Sequence, residues 1–223
     1  KYWGLNFFYD TEKTENFYLE KFSALLEEAV KKRLVSDVPL GMYLSGGIDS
    51  SSILSLMCKH SKEAVKTFTI GYQIEDFPDE TKSAKRVAEF YNTDHHEFIV
   101  DDNPLDILPS VVWHMDEPVA DPTALPIYLL SKLTKKHVTV ILEGEGADET
   151  LAGYEHYKIM KLANSYLHYI PKLVRSGIIP RTMKFIPDKL LDKLFVYTSS
   201  LGEEGKKRFF DFLLKYKNSA EAY

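Results

Sequence analysis

Between residues 40 and 142 short apolar runs alternate with stretches of helical periodicity, and no other feature limits what the chain can fold into as much. The runs 40–44, 65–72, 95–100 and 138–142 have strand length and are rich in β-branched or aromatic residues, the last being the most strand-like. Three- and four-residue spacing predicts helices over 15–33, from about 50 onward, and over about 79–91, 104–114 and 123–136. Phe22, Leu25, Leu26, Ala29 and Val30 form the inward face of the first, and Ile53, Leu54 and Met57 that of the second. Strands alternating with helices of this length imply βαβ units with right-handed crossovers. The expected fold class is α/β, a parallel twisted sheet with helices on both faces. Ligands in such sheets bind at the carboxyl ends of strands where the strand order reverses. The two glycine-bearing turns, after Leu44 and after Leu142, are where chemistry is expected.

The first turn reads Ser45-Gly46-Gly47-Ile48-Asp49-Ser50-Ser51. Two glycines let the backbone turn tightly enough for its N–H groups to face an anion, and the following helix N-terminus adds partial positive charge. Ser45, Ser50 and Ser51 supply hydroxyls. The Gly-Lys-Ser/Thr ending of the P-loop is absent. Asp49 puts a carboxylate among phosphates, which calls for a bridging divalent cation. The plainer alternative is an architectural turn capped by Asp49 or Ser50.

The second turn, Glu143-Gly144-Glu145-Gly146-Ala147-Asp148-Glu149, lacks the third glycine of the dinucleotide fingerprint. If a helix begins near Ala147, then Glu145, Asp148 and Glu149 share one side of its start and repel one another unless a cation joins them. Metal-bound pyrophosphate suits such a site. The alternative is a helix N-terminus that favours acids for its dipole.

Together the motifs carry a resemblance. The Ser-Gly-Gly-x-Asp-Ser loop resembles the pyrophosphate loop (PP-loop) of the ATP pyrophosphatase superfamily. Its pairing with Gly-Glu-Gly-Ala-Asp-Glu resembles the synthetase domain of the glutamine-hydrolysing asparagine synthetase family. So do Arg33-Leu34, Ser36-Asp37-Val38-Pro39, Thr67-Phe68-Thr69-Ile70-Gly71, Asp94-His95-His96-Glu97, Trp113-His114-Met115-Asp116-Glu117-Pro118 and Asp121-Pro122. The likeness covers roughly residues 1–160 and implies an adenine nucleotide α-hydrolase-like fold. It implies that Ser45, Gly46, Gly47, Asp49 and Ser50 bind ATP phosphates, that Glu143 and Gly144 belong to the ATP-binding set, and that backbone groups of Leu44, Ile70 and Gly71 hold adenine and ribose. Asp49 and Asp148 are the implied Mg2+ ligands and Glu145 the catalytic carboxylate. The implied reaction adenylates a carboxylate, most naturally the aspartate side chain, with release of pyrophosphate, and ammonia then forms the amide.

Two positions depart from the family: Glu143 stands where serine is usual, and Thr150-Leu151-Ala152-Gly153-Tyr154 replaces Leu-Phe-Gly-Gly-Tyr. The family's pyrophosphate-binding lysine has no counterpart here. The start at Lys1-Tyr2-Trp3 reads as a piece of a longer protein, with residues 1–14 a linker from a glutaminase domain that supplies ammonia, 15–163 the synthetase domain and 164–223 a helical extension. Related readings are a cyclase or other amidotransferase with a different carboxylate, a tRNA-modifying superfamily member, and a degenerate nucleotide-binding module.

A net charge of -5 offers no basic stripe for nucleic acid, and no apolar run is long enough for a bilayer, so a soluble cytoplasmic protein is expected, with a homodimer as a candidate assembly. The single cysteine, Cys58, reads as core. His95 and His96 are adjacent on a strand and face opposite ways, which suits structural roles rather than a shared metal. For His114, Asp116, Glu117 and Asp121, substrate recognition and a solvated loop are both open. The lysines from 206 to 217 read as the exposed face of a helix whose other side is Phe209, Phe210, Leu213 and Leu214.

Overall fold

In the computed structural model the described residues are 4, 12–72, 80–100, 104–119, 121, 123–154, 157, 158, 160, 161, 165, 169 and 208. Their contacts fall into two units, residues 1–145 and 146–223. The first contains α1 (Glu15–Arg33), β1 (Leu40–Tyr43), α2 (Ile48–His60), β2 (Lys66–Tyr72), α3 (Thr81–Tyr91), β3 (Asp94–Val100), a 3-10 turn (Pro104–Ile107), α4 (Leu108–Met115), α5 (Ala124–Thr134) and β4 (Val140–Leu142). In the second, α6 (Ala147–Leu151) is described, followed by isolated helical positions. The expected helix with Phe209 and the lysines of 206–217 lies outside the described residues apart from Arg208, which is helical and exposed.

The sheet order is β3-β2-β1-β4 and every pairing is parallel. The chain steps outward from β1 through β2 to β3, then crosses back to place β4 on the other flank of β1. Strand order therefore reverses between β1 and β4, and the carboxyl ends of those two strands are where such sheets bind ligands.

Alternation along β1 explains the two cores. Met42 and Leu44 are buried with Val30, Leu54, Met57, Val65, Ala84, Ala88 and Leu142, joining α1, α2 and α3 to one face. Tyr43 faces the other way, toward Phe68, Leu130 and Val138 beneath α5. Each fully buried Leu or Met contributes about 1.5–3 kcal/mol. Cys58 packs beside the first cluster, as expected of a core residue.

Two expectations need correction. On α1 only Val30 is buried, whereas Phe22 is 44% and Leu25 55% exposed. Periodicity reports that a helix has an apolar face, not how much of it the rest of the domain covers. The C-terminal half of α1 is what is fastened, through Glu27, which accepts from Lys59 at 2.6 Å and pairs with His60 at 2.8 Å. The apolar run 138–142 yields the shortest strand, three residues. Val138 N–H still donates to Thr134, at the exit of α5, and the amides of Thr139 and Val140 both reach the Pro39 carbonyl. Val138 is thus buried as a helix exit rather than as a strand residue.

The histidine pair behaves as the alternation predicts. In register, His95 lies beside Thr67 and His96 beside Phe68, on opposite faces of the sheet. His96 stacks on Phe68 and lies near His137, with ring centroids 5.2 and 4.4 Å away. His95 Nδ1 is 2.9 Å from the Thr67 hydroxyl, and its Nε2 is shut from solvent with no partner among the described residues. Burial holds the His95 pKa below the ordinary value of 6.5, the charges of Glu97, His96, Lys85 and Glu89 having smaller effects. The unfolded chain therefore takes up this proton first as pH falls. Stability is full above pH 6.5 and declines as pH drops from there toward the lowered folded value. We expect His95→Gln to flatten this segment of the urea midpoint against pH; an unchanged difference between pH 7.5 and 5 would remove His95 as its source.

Among the described residues no helix is long and apolar enough to cross a membrane.

Candidate functional site

The turn after β1 is held open by its own hydrogen bonds. Leu44 N–H donates to the Phe68 carbonyl at 2.9 Å and its carbonyl accepts from the Thr69 hydroxyl, so its donor is engaged within the sheet. Ser45 Oγ accepts from Gly47 N–H at 3.2 Å and lies 2.9 Å from Ser50 Oγ, which donates back to the Gly47 carbonyl at 3.2 Å. Gly46 sits at φ 79°, and a Cβ there would fall 2.5 Å from backbone atoms of Ser83 and Ala84. Only glycine makes this turn against α3.

Gly47 is the N-cap of α2 and supplies no side-chain cap; the Ser50 hydroxyl turns to a carbonyl instead of an amide. Ser51 N–H is the first to reach an intrahelical acceptor, the Gly47 carbonyl at 3.0 Å. The amides of Ile48, Asp49 and Ser50 therefore have no acceptor within the helix and lie at its positive end. Ser51 Oγ is shut from solvent without a partner among the described residues.

The turn after β4 lies directly against this helix start. A Cβ on Gly144 would fall 2.9 Å from Ser50 N and 3.0 Å from the Asp49 carbonyl carbon, so only glycine allows the approach. The flanking Glu143 and Glu145 line a cleft of about 460 Å³ with Leu26, Val30, Arg33 and Ile53. Partial burial pushes the Glu143 carboxyl above the ordinary glutamate value, and the Glu145 charge adds to it. Two like charges meet here without a counter-ion in hydrogen-bond contact among the described residues.

At the end of β2 the strand outruns its neighbour. β1 pairs as far as Phe68, whereas β3 pairs to Tyr72. Phe68 presents its carbonyl to β1, and residues two apart face the same way, so the peptide groups of Ile70 point into the space above β1. Gly71 serves packing: a Cβ there would fall 2.6 Å from Thr81 Cγ2.

In the second unit α6 begins at Ala147, with Asp148 and Glu149 in its first turn and Gly146, at φ 91°, as N-cap. Tyr154 donates its hydroxyl to Glu149 at 2.7 Å. Asp148 Oδ1 lies where a Gly153 side chain would be, so glycine at 153 gives that carboxylate its room. Thr81 and Ser83 carry no signal by motif; only their contacts with Gly71, Ser45 and Gly46 reveal them.

Asp121 accepts from the amide and hydroxyl of Thr123 at 2.9 and 2.7 Å, which lowers its pKa and occupies it in a turn at the start of α5. Glu117 and Asp121 rim a pocket of about 280 Å³ walled by Leu108, Val111 and Leu125, and His114 rests on Ser110 and Tyr128. Among the described residues no three His, Cys, Asp or Glu side chains are grouped to hold a metal alone. A Mg2+ ion carried by phosphates needs only one or two carboxylates, and hard oxygen donors of the kind at 49 and 148 fit it.

A parallel sheet whose two switch-point turns meet where Gly144 packs on Asp49 and Ser50 places the chain in the α/β class. The asparagine synthase family model matches residues 21–222, and the chain belongs to that family. It is 37% identical over 151 residues to glutamine-hydrolyzing asparagine synthetase 1 of Bacillus subtilis, covering 68% of this chain and 24% of that protein. Glutamine-hydrolyzing asparagine synthetase of Zea mays is 36% identical over 148 residues, covering 60% of this chain and 24% of the plant protein. The chain thus spans about a quarter of the length of these relatives. Among solved structures, a glutamine-dependent NAD+ synthetase from Acinetobacter baumannii aligns at 16% identity and TM-score 0.46, over 92% of this chain and 45% of that one, too remote to inform the site.

Proposed function

We propose that this chain is the adenylating part of an asparagine-synthetase-type ligase. ATP binds across the carboxyl ends of β1 and β4. Its adenine meets the free peptide edge at Ile70, and its β and γ phosphates meet Ser45, Gly47, Ser50 and the open amides of α2. Asp49 and Asp148 would hold Mg2+, which neutralises the departing pyrophosphate. The aspartate side-chain carboxylate attacks the α-phosphorus, the bond to the β-phosphate oxygen breaks, and pyrophosphate leaves. Ammonia then adds to the acyl carbon and the bond to AMP breaks, giving the amide. Glu145 is the carboxylate assigned to take the proton that the attacking nitrogen sheds. Positioning and charge stabilisation supply most of the rate.

The observation that carries this reading is the contact of Gly144 with Asp49 and Ser50. It sets the Glu143–Glu145 turn, whose two carboxylates repel each other, beside the N-terminal amides of α2, so groups suited to a cation and groups suited to a phosphate lie side by side. We assign residues 15–163 to this activity and residues 1–14 to a linker from a glutaminase domain that supplies the ammonia. Cys58 does not replace that domain's nucleophile: it is half-buried, and burial raises its thiol pKa, which lowers the thiolate fraction. A cytoplasmic setting fits the ligase chemistry.

The test is ATP–pyrophosphate exchange in the complete protein across a panel of carboxylic acids. Exchange that depends on aspartate supports the proposal. Exchange with another acid moves the protein to a related amidotransferase or cyclase, and nucleotide binding with no exchange for any acid marks a degenerate module. Glu143 bears on that last outcome. Because its side chain lines the cleft while Gly144 faces α2, Glu143→Ser is expected to leave exchange unchanged or raise it by up to about fivefold through relief of charge repulsion. A complete loss on that substitution would mean Glu143 has a task of its own.

A further inference from the structure

We propose that Thr81 and Ser83, in the first turn of α3, are positioning residues that fix the distance between the phosphate loop and the free edge of β2. The inference rests on the nucleotide reading above and extends it to residues that no motif singles out.

Ser83 Oγ lies 3.2 Å from the Ser45 carbonyl and 3.0 Å from the Glu80 carbonyl, so one hydroxyl joins the phosphate loop to the helix entry. Gly46 packs onto the same turn, with room for nothing larger beside Ser83 and Ala84. Two residues earlier, the Thr81 methyl occupies the space beside Gly71, and Thr81 is itself buried. The two ends of the proposed site, Gly46 beneath the phosphates and Gly71 beside the base, therefore both rest on a single helical turn. A helical turn is stiff, with 1.5 Å of rise per residue and a fixed backbone geometry. The spacing of the two ends is set by α3 rather than by either loop.

A nucleotide that spans both ends gains its full affinity only when that spacing is right. A fragment that occupies one end is indifferent to it. The phosphate loop keeps its own ring of hydrogen bonds among Ser45, Gly47 and Ser50 when Ser83 loses its hydroxyl. This separates a positioning role from a general loosening of the fold.

The experiment uses the complete protein and compares wild type, Ser83→Ala, Ser83→Thr and Thr81→Ser. In pyrophosphate exchange, Ser83→Ala should raise the KM for MgATP about five- to tenfold while kcat stays within about twofold. Direct binding of magnesium pyrophosphate and of adenosine, each titrated alone by calorimetry, should change less than about twofold. Ser83→Thr, which keeps the hydroxyl, should restore the KM, and Thr81→Ser, which deletes only the methyl, should shift it the same way by a smaller factor. If Ser83→Ala fails to fold, Thr81→Ser carries the same readouts. An unchanged MgATP KM overturns the inference, and so does a loss of pyrophosphate affinity as large as that for MgATP. A wild-type protein that exchanges pyrophosphate with no acid instead sinks the nucleotide reading itself, so the two failures are told apart.

Discussion

Asp49→Asn should lower magnesium-dependent exchange by on the order of a hundredfold or more and leave folding nearly untouched. The residue sits in the first turn of α2, where the helix dipole stabilises a carboxylate by only about 0.3–1 kcal/mol. Asparagine keeps the shape and one oxygen there but not the charge. Gly144 brings the Glu143–Glu145 turn against this residue, so the folded protein without nucleotide loses a repulsion along with the dipole benefit. The thermal midpoint should move by no more than about 2 °C. The deficit should shrink as magnesium is raised if the lost group is a ligand. Full exchange in the variant at ordinary magnesium concentration would take Asp49 out of the site.

Gly46→Ala should be the most damaging single methyl that can be added to the site. Two penalties combine. At φ 79° an alanine is strained by about 1–2 kcal/mol. Its Cβ also falls 2.5 Å from the backbone of Ser83 and Ala84, which cannot swing aside as a side chain would. Together they should destabilise the domain by about 3 kcal/mol or more and lower its midpoint by roughly 6–12 °C. MgATP should then no longer protect it against heat. Gly146→Ala provides the contrast. Its φ of 91° is as unfavourable, yet nothing lies within 4 Å of the added carbon. That change should cost only the conformational strain, about 1 kcal/mol. Equal effects at the two positions would show that the α3 contact is unimportant.

Most of the α/β alternation could be read directly from the chain. Strand and helix leave different periods in a sequence, and β2, α3 and β3 form within two residues of where those periods place them. The turn after β1 was readable for a similar reason: Gly46, at φ 79°, marks a backbone conformation that few other residues allow. Where the reading went astray, the missing information was non-local. Phe22 and Leu25 have helical spacing whether or not anything packs on them. Val138 is apolar for burial, and only the Pro39 carbonyl, which takes the next two amides, shows that pairing with β1 starts later. The histidines followed expectation because two-residue alternation is a local property of a strand.

The sequence by itself determined a parallel α/β domain of the asparagine synthase family, with its glycine turns and their carboxylates, because periodicity, glycine and charge act over a few neighbouring residues. Only the tertiary structure decided that β1 and β4 are neighbours, so that Gly144 meets Ser50 across a gap of 94 positions in the chain. It alone decided that Thr81 packs on Gly71 while Ser83 reaches the Ser45 carbonyl and packs on Gly46. Such contacts depend on which strands pair and how closely helices approach them, and that is settled by the packing of the whole core rather than by any short stretch of residues.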